Sequence, residues 1–326
     1  MTDTIFKLLT ALFVSGCFIC LPAFGQNDDA EKLKQLNEKI VTAIRTNDFR
    51  SAEDMSKESV SLATKLNGQV NRDVAIAYMN MAFSQKQQSK FSQAVQNFSA
   101  AIDILKQLSD NKNKDLFEAY SSRGHTYFAA GKSKEAISDY QQAITEADRV
   151  FGADSGESYL PNFNIAQIKL KQENWDQSHS YYVNAYRIGL LRFGLNSPEV
   201  EKIEDTIYCS ALDDNLSSKQ RKTFSKLRWQ HARSQGLDYG VLNGKALSLP
   251  IPFYPPRASQ LNIQGKVVVR VLVDETGKTS VDKVVCGSYT FRSAAVEAAR
   301  EAKFAPTIIN GKAVTVSGII LYNFRR

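Results

Sequence analysis

The sequence predicts an α+β, multidomain chain in which an all-α helical-repeat solenoid precedes a small β-β-α-β domain. Three observations carry this. Small and aromatic residues recur at intervals of 42 through the first two thirds of the chain. A β-branched run, Val267 to Val273, is bounded by turn residues and has the composition of a strand. Behind it, Phe291, Ala294, Ala295, Ala298 and Ala302 fall at i, i+3, i+4, i+7 and i+11, a narrow helical face that can lie close on a sheet.

In chain order, residues 1–25 read as a targeting segment. Lys7 precedes an apolar stretch from Leu8, and Ala23-Phe24-Gly25 precedes polar Gln26, so cleavage is expected between Gly25 and Gln26 with export to the periplasm. Two alternatives are a lipoprotein box ending at Cys17 and an uncleaved inner-membrane anchor over residues 8–25. Two cysteines then remain, Cys209 and Cys286. They are expected as separate small hydrophobes, with a disulfide as the alternative.

Residues 29–236 carry the repeat. Ala94, Ala136 and Ser178 form one column, Phe98, Tyr140 and Tyr182 a second, and Ala101, Ala143 and Ala185 a third, each spaced by 42. Ala52, Ser59 and Phe224 extend the columns outward. Small residues allow two helices to cross closely, and the aromatic one turn on fills the space between neighbouring pairs. Tyr120, Gly124, Tyr127, Gly131, Ala136, Tyr140 and Ala143 resemble the tetratricopeptide (TPR) pattern, with Arg123 for the usual leucine and Asp148 for the usual proline. The usual period is about 34 residues, so 42 implies an extra helical turn per helix and resembles the longer repeats of kinesin light chains. Such a groove is expected to take a peptide or a partner's helix; a simple spacer is the alternative.

The segment from Asn215 to Leu237 holds Lys219, Arg221, Lys222, Lys226, Arg228 and Arg233 and no acid. It reads as a solvated helix back, with anionic lipid headgroups or a receptor as alternative contacts and hence membrane association left open. Residues 237–252, punctuated by Gly240, Gly244, Pro250 and Pro252, read as a linker whose Leu247 to Phe253 end is expected to lie across the C-terminal domain.

In residues 253–326, Glu275-Thr276-Gly277-Lys278 turns the valine strand into a second strand, Thr279 to Cys286. The alanine-faced helix follows, then a turn at Asn310-Gly311-Lys312. A last strand is expected over Val314, Thr315, Val316, Ser317, Gly318, Ile319, Ile320, Leu321, Tyr322, Asn323 and Phe324, with alternate residues on one face. Tyr254-Pro255, Ala258, Gly265, Asp274-x-x-Gly277, Phe304-x-Pro306, Asn310-Gly311-Lys312 and Phe324 together resemble the C-terminal domain of the TonB family. Lys303 stands where that family usually has tryptophan. The resemblance implies a protein that binds outer-membrane TonB-dependent receptors, with the last strand as the edge to which a receptor segment adds. Another envelope protein is the alternative partner, with the chain acting as an adaptor that transmits no energy.

Charge and motif content narrow the functions further. The chain carries +7, and residues 246–326 hold 11 Lys or Arg against 5 Asp or Glu, which suits acidic envelope partners; nucleic acid is not expected in an exported protein. The three histidines, His125, His179 and His231, show no metal spacing. Gly240 to Ala246 is one residue short of a phosphate loop and lacks its hydroxyl. No G-x-S-x-G elbow or HExxH occurs. Neither an enzyme nor a cofactor is expected.

Overall fold

The computed structural model describes residues 23–108, 114–195, 197–210, 215–234, 246–309 and 311–325. By contact the chain divides into two compact units, residues 1–131 and 132–326. Repeat helices occur in both, and the C-terminal sheet shares the second. The expected leader falls mostly on residues 1–22, outside the described residues, as do residues 237–245 of the expected linker.

The first unit contains α1 (Ala23–Arg45), α2 (Phe49–Asn67), α3 (Arg72–Gln87), α4 (Phe91–Gln107) and α5 (Lys114–Ala129). Gly25 and Gln26 lie in the first turn of α1. Ala52 and Ser59 on α2 and Ala94, Phe98 and Ala101 on α4 are all buried to 1% exposure or less, so the repeat columns are the helix-crossing positions. Two polar contacts fix neighbouring helices. Arg72 grips Asp115 with both Nε (2.5 Å) and Nη2 (2.9 Å). Buried Glu53 accepts from Gln85 Nε2 (3.1 Å), Gln88 Nε2 (2.9 Å) and Lys90 Nζ (2.7 Å). Burial pushes the Glu53 carboxyl up, but those donors and Lys57 outweigh it and hold the group at about 2, against an ordinary 4.5.

The second unit begins with α6 (Ser133–Phe151), α7 (Tyr159–Lys171), α8 (Trp175–Phe193), α9 (Pro198–Cys209) and α10 (Ser218–Ser234). Ala136, Tyr140 and Ala143 on α6, and Ser178, Tyr182 and Ala185 on α8, are wholly buried. The turn inside each repeat has its own period, because the residues with left-handed backbone are Asn47 (φ 60°), Ser89 (φ 61°), Gly131 (φ 76°) and Glu173 (φ 55°). Each is 42 after the last. At this position the helix must stop and reverse whatever residue occupies it, and only one of the four is glycine.

The C-terminal part comprises β1 (Ala246–Ser248), α11 (Pro256–Gln260), β2 (Gly265–Val273), β3 (Thr279–Gly287), α12 (Tyr289–Glu301), β4 (Lys303–Phe304), β5 (Thr307–Ile309), β6 (Lys312–Val314) and β7 (Val316–Phe324). The main sheet has the order β3-β2-β7 and is antiparallel throughout. Val267, Val269, Val271 and Val273 of β2 face the buried alanines of α12. Gly277 makes the β2–β3 turn at φ 83°, and a Cβ there would sit 2.0 Å from the Phe304 carbonyl oxygen. Asp274 Oδ1 completes the turn by accepting from the backbone N–H groups of Thr276 (2.9 Å) and Lys278 (3.0 Å).

Two outcomes follow from this packing. Ala136→Leu overfills a closed helix crossing and is expected to cost about 1–3 kcal/mol in thermal unfolding. Glu53, whose carboxyl is depressed in the fold, contributes stability that is complete above pH 4.5 and lost as the pH falls towards about 2. Urea melts across that window should show a loss on the order of 3 kcal/mol, which Glu53→Gln flattens.

Candidate partner-binding edge

The residues that mark the last domain in the sequence converge on one aromatic cluster. The Phe291 and Phe324 rings stack at 4.3 Å, and Tyr254 meets them edge-on at 5.6 and 6.0 Å. Tyr254 Oη donates to the Ile263 carbonyl at 2.5 Å. Gly265 leaves room for the cluster, since a Cβ there would meet Phe291 at 3.2 Å. The first and last strands are thereby tied together at one end of the sheet.

The expected last strand is interrupted. Val314 belongs to β6 and pairs with Thr307, whereas β7 begins at Val316. Thr315 lies between them and donates its hydroxyl to Glu275 Oε1 at 2.8 Å. From there the strand is regular: Val316, Ile320, Tyr322 and Phe324 are buried, Ser317, Gly318, Ile319 and Leu321 are half-buried, and Asn323 is exposed. Burial pushes the Tyr322 hydroxyl up to about 12.

The two edges of the sheet differ. β7 pairs with β2 in unbroken register from Gly265 opposite Phe324 to Val273 opposite Val316, and it carries no charged residue. On the other side of β2 the register slips twice, leaving Asp282 and Val285 of β3 without partners. Bulges and charges such as Asp282 and Lys283 are devices that discourage strand addition. Among the described residues no strand pairs with the outer side of β7.

The second face of the sheet is covered by α9. Arg270, at the centre of β2, is 2% exposed and points away from α12. Its guanidinium meets Glu204 Oε2 (3.3 and 3.4 Å) and Asp205 Oδ1 (2.9 Å). Lys283 beside it pairs with Glu201 at 3.2 Å. Glu204 also accepts from Tyr186 Oη at 2.8 Å and pairs with Arg228. Burial opposes charge on Arg270, yet Glu204, Asp205 and Glu201 prevail and raise its pKa. The opposite side of α9, Val200, Ile203 and Ile207, enters the core formed with Tyr182, Tyr186 and Phe224.

Cys209, at the end of α9, forms a disulfide with Cys286 of β3. This corrects the expectation of two separate thiols. Their separation of 77 residues hides the pairing in the sequence, but Glu201, Asp205 and Cys209 recur at four-residue spacing and so share the helix face that meets the sheet.

Residues 250–325 match the family model described as Gram-negative bacterial TonB protein C-terminal. This part of the chain is a TonB C-terminal domain. Two crystal structures of the TPR-like repeats of a Podosopora anserina kinesin light chain are similar to the chain, each with a TM-score of 0.50 and 10% identity. Each covers 63% of this chain, which spans 96% and 97% of theirs. That likeness concerns the fold, and the helices before the TonB domain are TPR-like repeats. No curated protein matches the sequence.

The other sequence candidates distribute as follows. His179 is buried, with Nε2 3.1 Å from the Gln220 carbonyl, and burial pushes its pKa down. His125 is exposed. Among the described residues no three His, Cys, Asp or Glu gather as a metal site, and no helix is long and apolar enough to cross a membrane. Arg228 is not on a solvated helix back, because its side chain is only 20% exposed and bound to Glu204; the Arg221 and Arg233 side chains lie outside the described residues. The Leu247 to Phe253 stretch, expected across the domain, begins in β1, which pairs with β4, and leaves Leu247, Leu249, Ile251 and Phe253 exposed.

Removing the shared acid takes a buried carboxylate from both Arg228 and Arg270 and leaves Arg270 to Asp205 and Glu201. Glu204→Ala is expected to cost about 3–5 kcal/mol, read as the urea midpoint of the second unit. Reducing the disulfide, which closes a long loop, should lower the same transition by about 4 kcal/mol.

Proposed function

We propose that this chain is a non-enzymatic periplasmic protein whose TonB domain binds a segment of an outer-membrane TonB-dependent receptor, or of another envelope protein, in TonB-type envelope transport. The observation that carries this reading is the asymmetry of the sheet edges. β7 offers a nine-residue, uncharged, unbroken edge, while β3 is twice bulged and charged. A peptide strand recognises such an edge through backbone hydrogen bonds, and its alternate side chains meet the half-buried Ile319 and Leu321. The TPR-like repeats supply a second surface for a peptide or helix. In this reading residues 29–236 are the repeat domain and 253–326 the receptor-binding domain, joined through 237–252.

A second reading, an adaptor that joins two partners without transmitting energy, is favoured by the α9 contact. The ion pairs and the disulfide hold the sheet against repeat helices of the same unit. Intact mass of the mature chain separates the two readings: retention of residues 8–25 supports transduction, and a start at Gln26 supports the adaptor.

Adjacent strand residues direct their N–H groups to opposite sides. Of Ser317→Pro and Gly318→Pro, therefore, one removes a bond to β2 and the other a donor on the free edge only. The variant that keeps its circular dichroism spectrum is expected to bind a receptor-derived peptide at least about 10-fold more weakly, and Ser317→Ala about normally. Full affinity in that folded proline variant would refute strand addition at β7.

A further inference from the structure

The segment leading into the TonB domain is turned inside out. From Leu249 to Tyr254 exposure alternates: Leu249, Ile251 and Phe253 are exposed, while Pro250, Pro252 and Tyr254 are half-buried. Leu247 is 71%, Ile251 94% and Phe253 67% exposed. An extended segment packed on a domain normally places its large apolar side chains inward. Here they form a row of side chains projecting into solvent, a costly arrangement unless something apolar receives them.

The chemistry of the row narrows what that can be. Pro250 and Pro252 have no N–H, so one edge of the segment lacks the donors that a paired strand needs. Its start is flanked by cations. Ser248 pairs with Lys303, and Lys303 is bridged in turn to Lys278; both lysines are exposed. Placing two like charges on neighbouring strand positions is unfavourable by itself. No Asp or Glu occurs between residues 246 and 273. Beyond the other end, Leu261 is also 70% exposed. Asp274, Glu275 and Glu301 lie close in the chain to the two lysines, but residues 246–326 as a whole hold 11 Lys or Arg against 5 Asp or Glu, and apolar side chains projecting from a domain of net positive charge are complementary to the interface of an anionic bilayer.

We propose that the row from Leu247 to Phe253, with Lys278 and Lys303, docks the TonB domain on the surface of an anionic phospholipid bilayer. Leu249, Ile251 and Phe253 enter the boundary between headgroups and acyl chains, and the two lysines meet lipid phosphates. The surface is separate from β7, so the proposal does not depend on strand addition there.

Flotation of the full chain with vesicles tests it. Wild type is expected to float with phosphatidylglycerol-containing vesicles and poorly with phosphatidylcholine alone. Ile251→Ser/Phe253→Ser should weaken partitioning about 10-fold or more, and Lys278→Gln/Lys303→Gln should remove the preference for phosphatidylglycerol and its sensitivity to salt. These side chains are exposed, and unchanged circular dichroism checks that the variants fold. Wild type that fails to float, or an Ile251→Ser/Phe253→Ser variant that floats like wild type, overturns the proposal; the latter places binding on another surface such as α10. Concentration-dependent dimers in light scattering that vanish in Ile251→Ser/Phe253→Ser, without flotation of wild type, overturn it in favour of a second copy of the chain.

Discussion

An arginine in the middle of a valine strand needs an anion, and Glu204 supplies it. Arg270 sits in the central strand of the sheet, with a side chain that solvent barely reaches, so its charge would be prohibitive without a partner. Glu204 comes from α9 and is shared with Arg228 of α10. One carboxylate therefore sets where α9 lies, which face of the sheet is closed and how the preceding helix packs. The disulfide acts on the same helix one turn later. Burial alone would tolerate a helix sliding on this face; charge pairing with a covalent tie does not.

With one face under α12, the other under α9 and β3 disturbed by bulges, β7 is the side of the sheet on which the backbone stays regular and unclaimed among the described residues. The aromatic cluster of Tyr254, Phe291 and Phe324 explains why the domain keeps that edge straight. It pins the end of β7 to the start of β2, so the register is fixed by packing at the terminus.

The parts legible in the sequence are those that repeat or act locally. The columns of small residues and aromatics are the buried helix crossings, and the helix from Phe291 turns its alanines to the sheet. What was not legible depends on distance along the chain. Arg270 meets acids about 65 residues away, and a lone arginine in a valine run signals only that some anion must cover it. Cys209 and Cys286 gave no sign of pairing because nothing in the sequence places α9 on β3. The left-handed turn position leaves no mark in the sequence because Asn, Ser, Gly and Glu share it, so the geometry recurs where the residue type does not. The break at Thr315 was hidden by apolar alternation that runs on through it.

The α9 contact also defines a route for load. A strand held along β7 and drawn away would act on β2 through a nine-residue ladder, and bonds loaded along the strand direction share the force instead of failing one at a time. From β2 the pull passes to β3 and, through Cys286 to Cys209, directly into α9. The stretch between α10 and β1 is bypassed. Tension on the β7 edge would reach the repeat helices of the same unit through a covalent bond and a salt-bridged helix face.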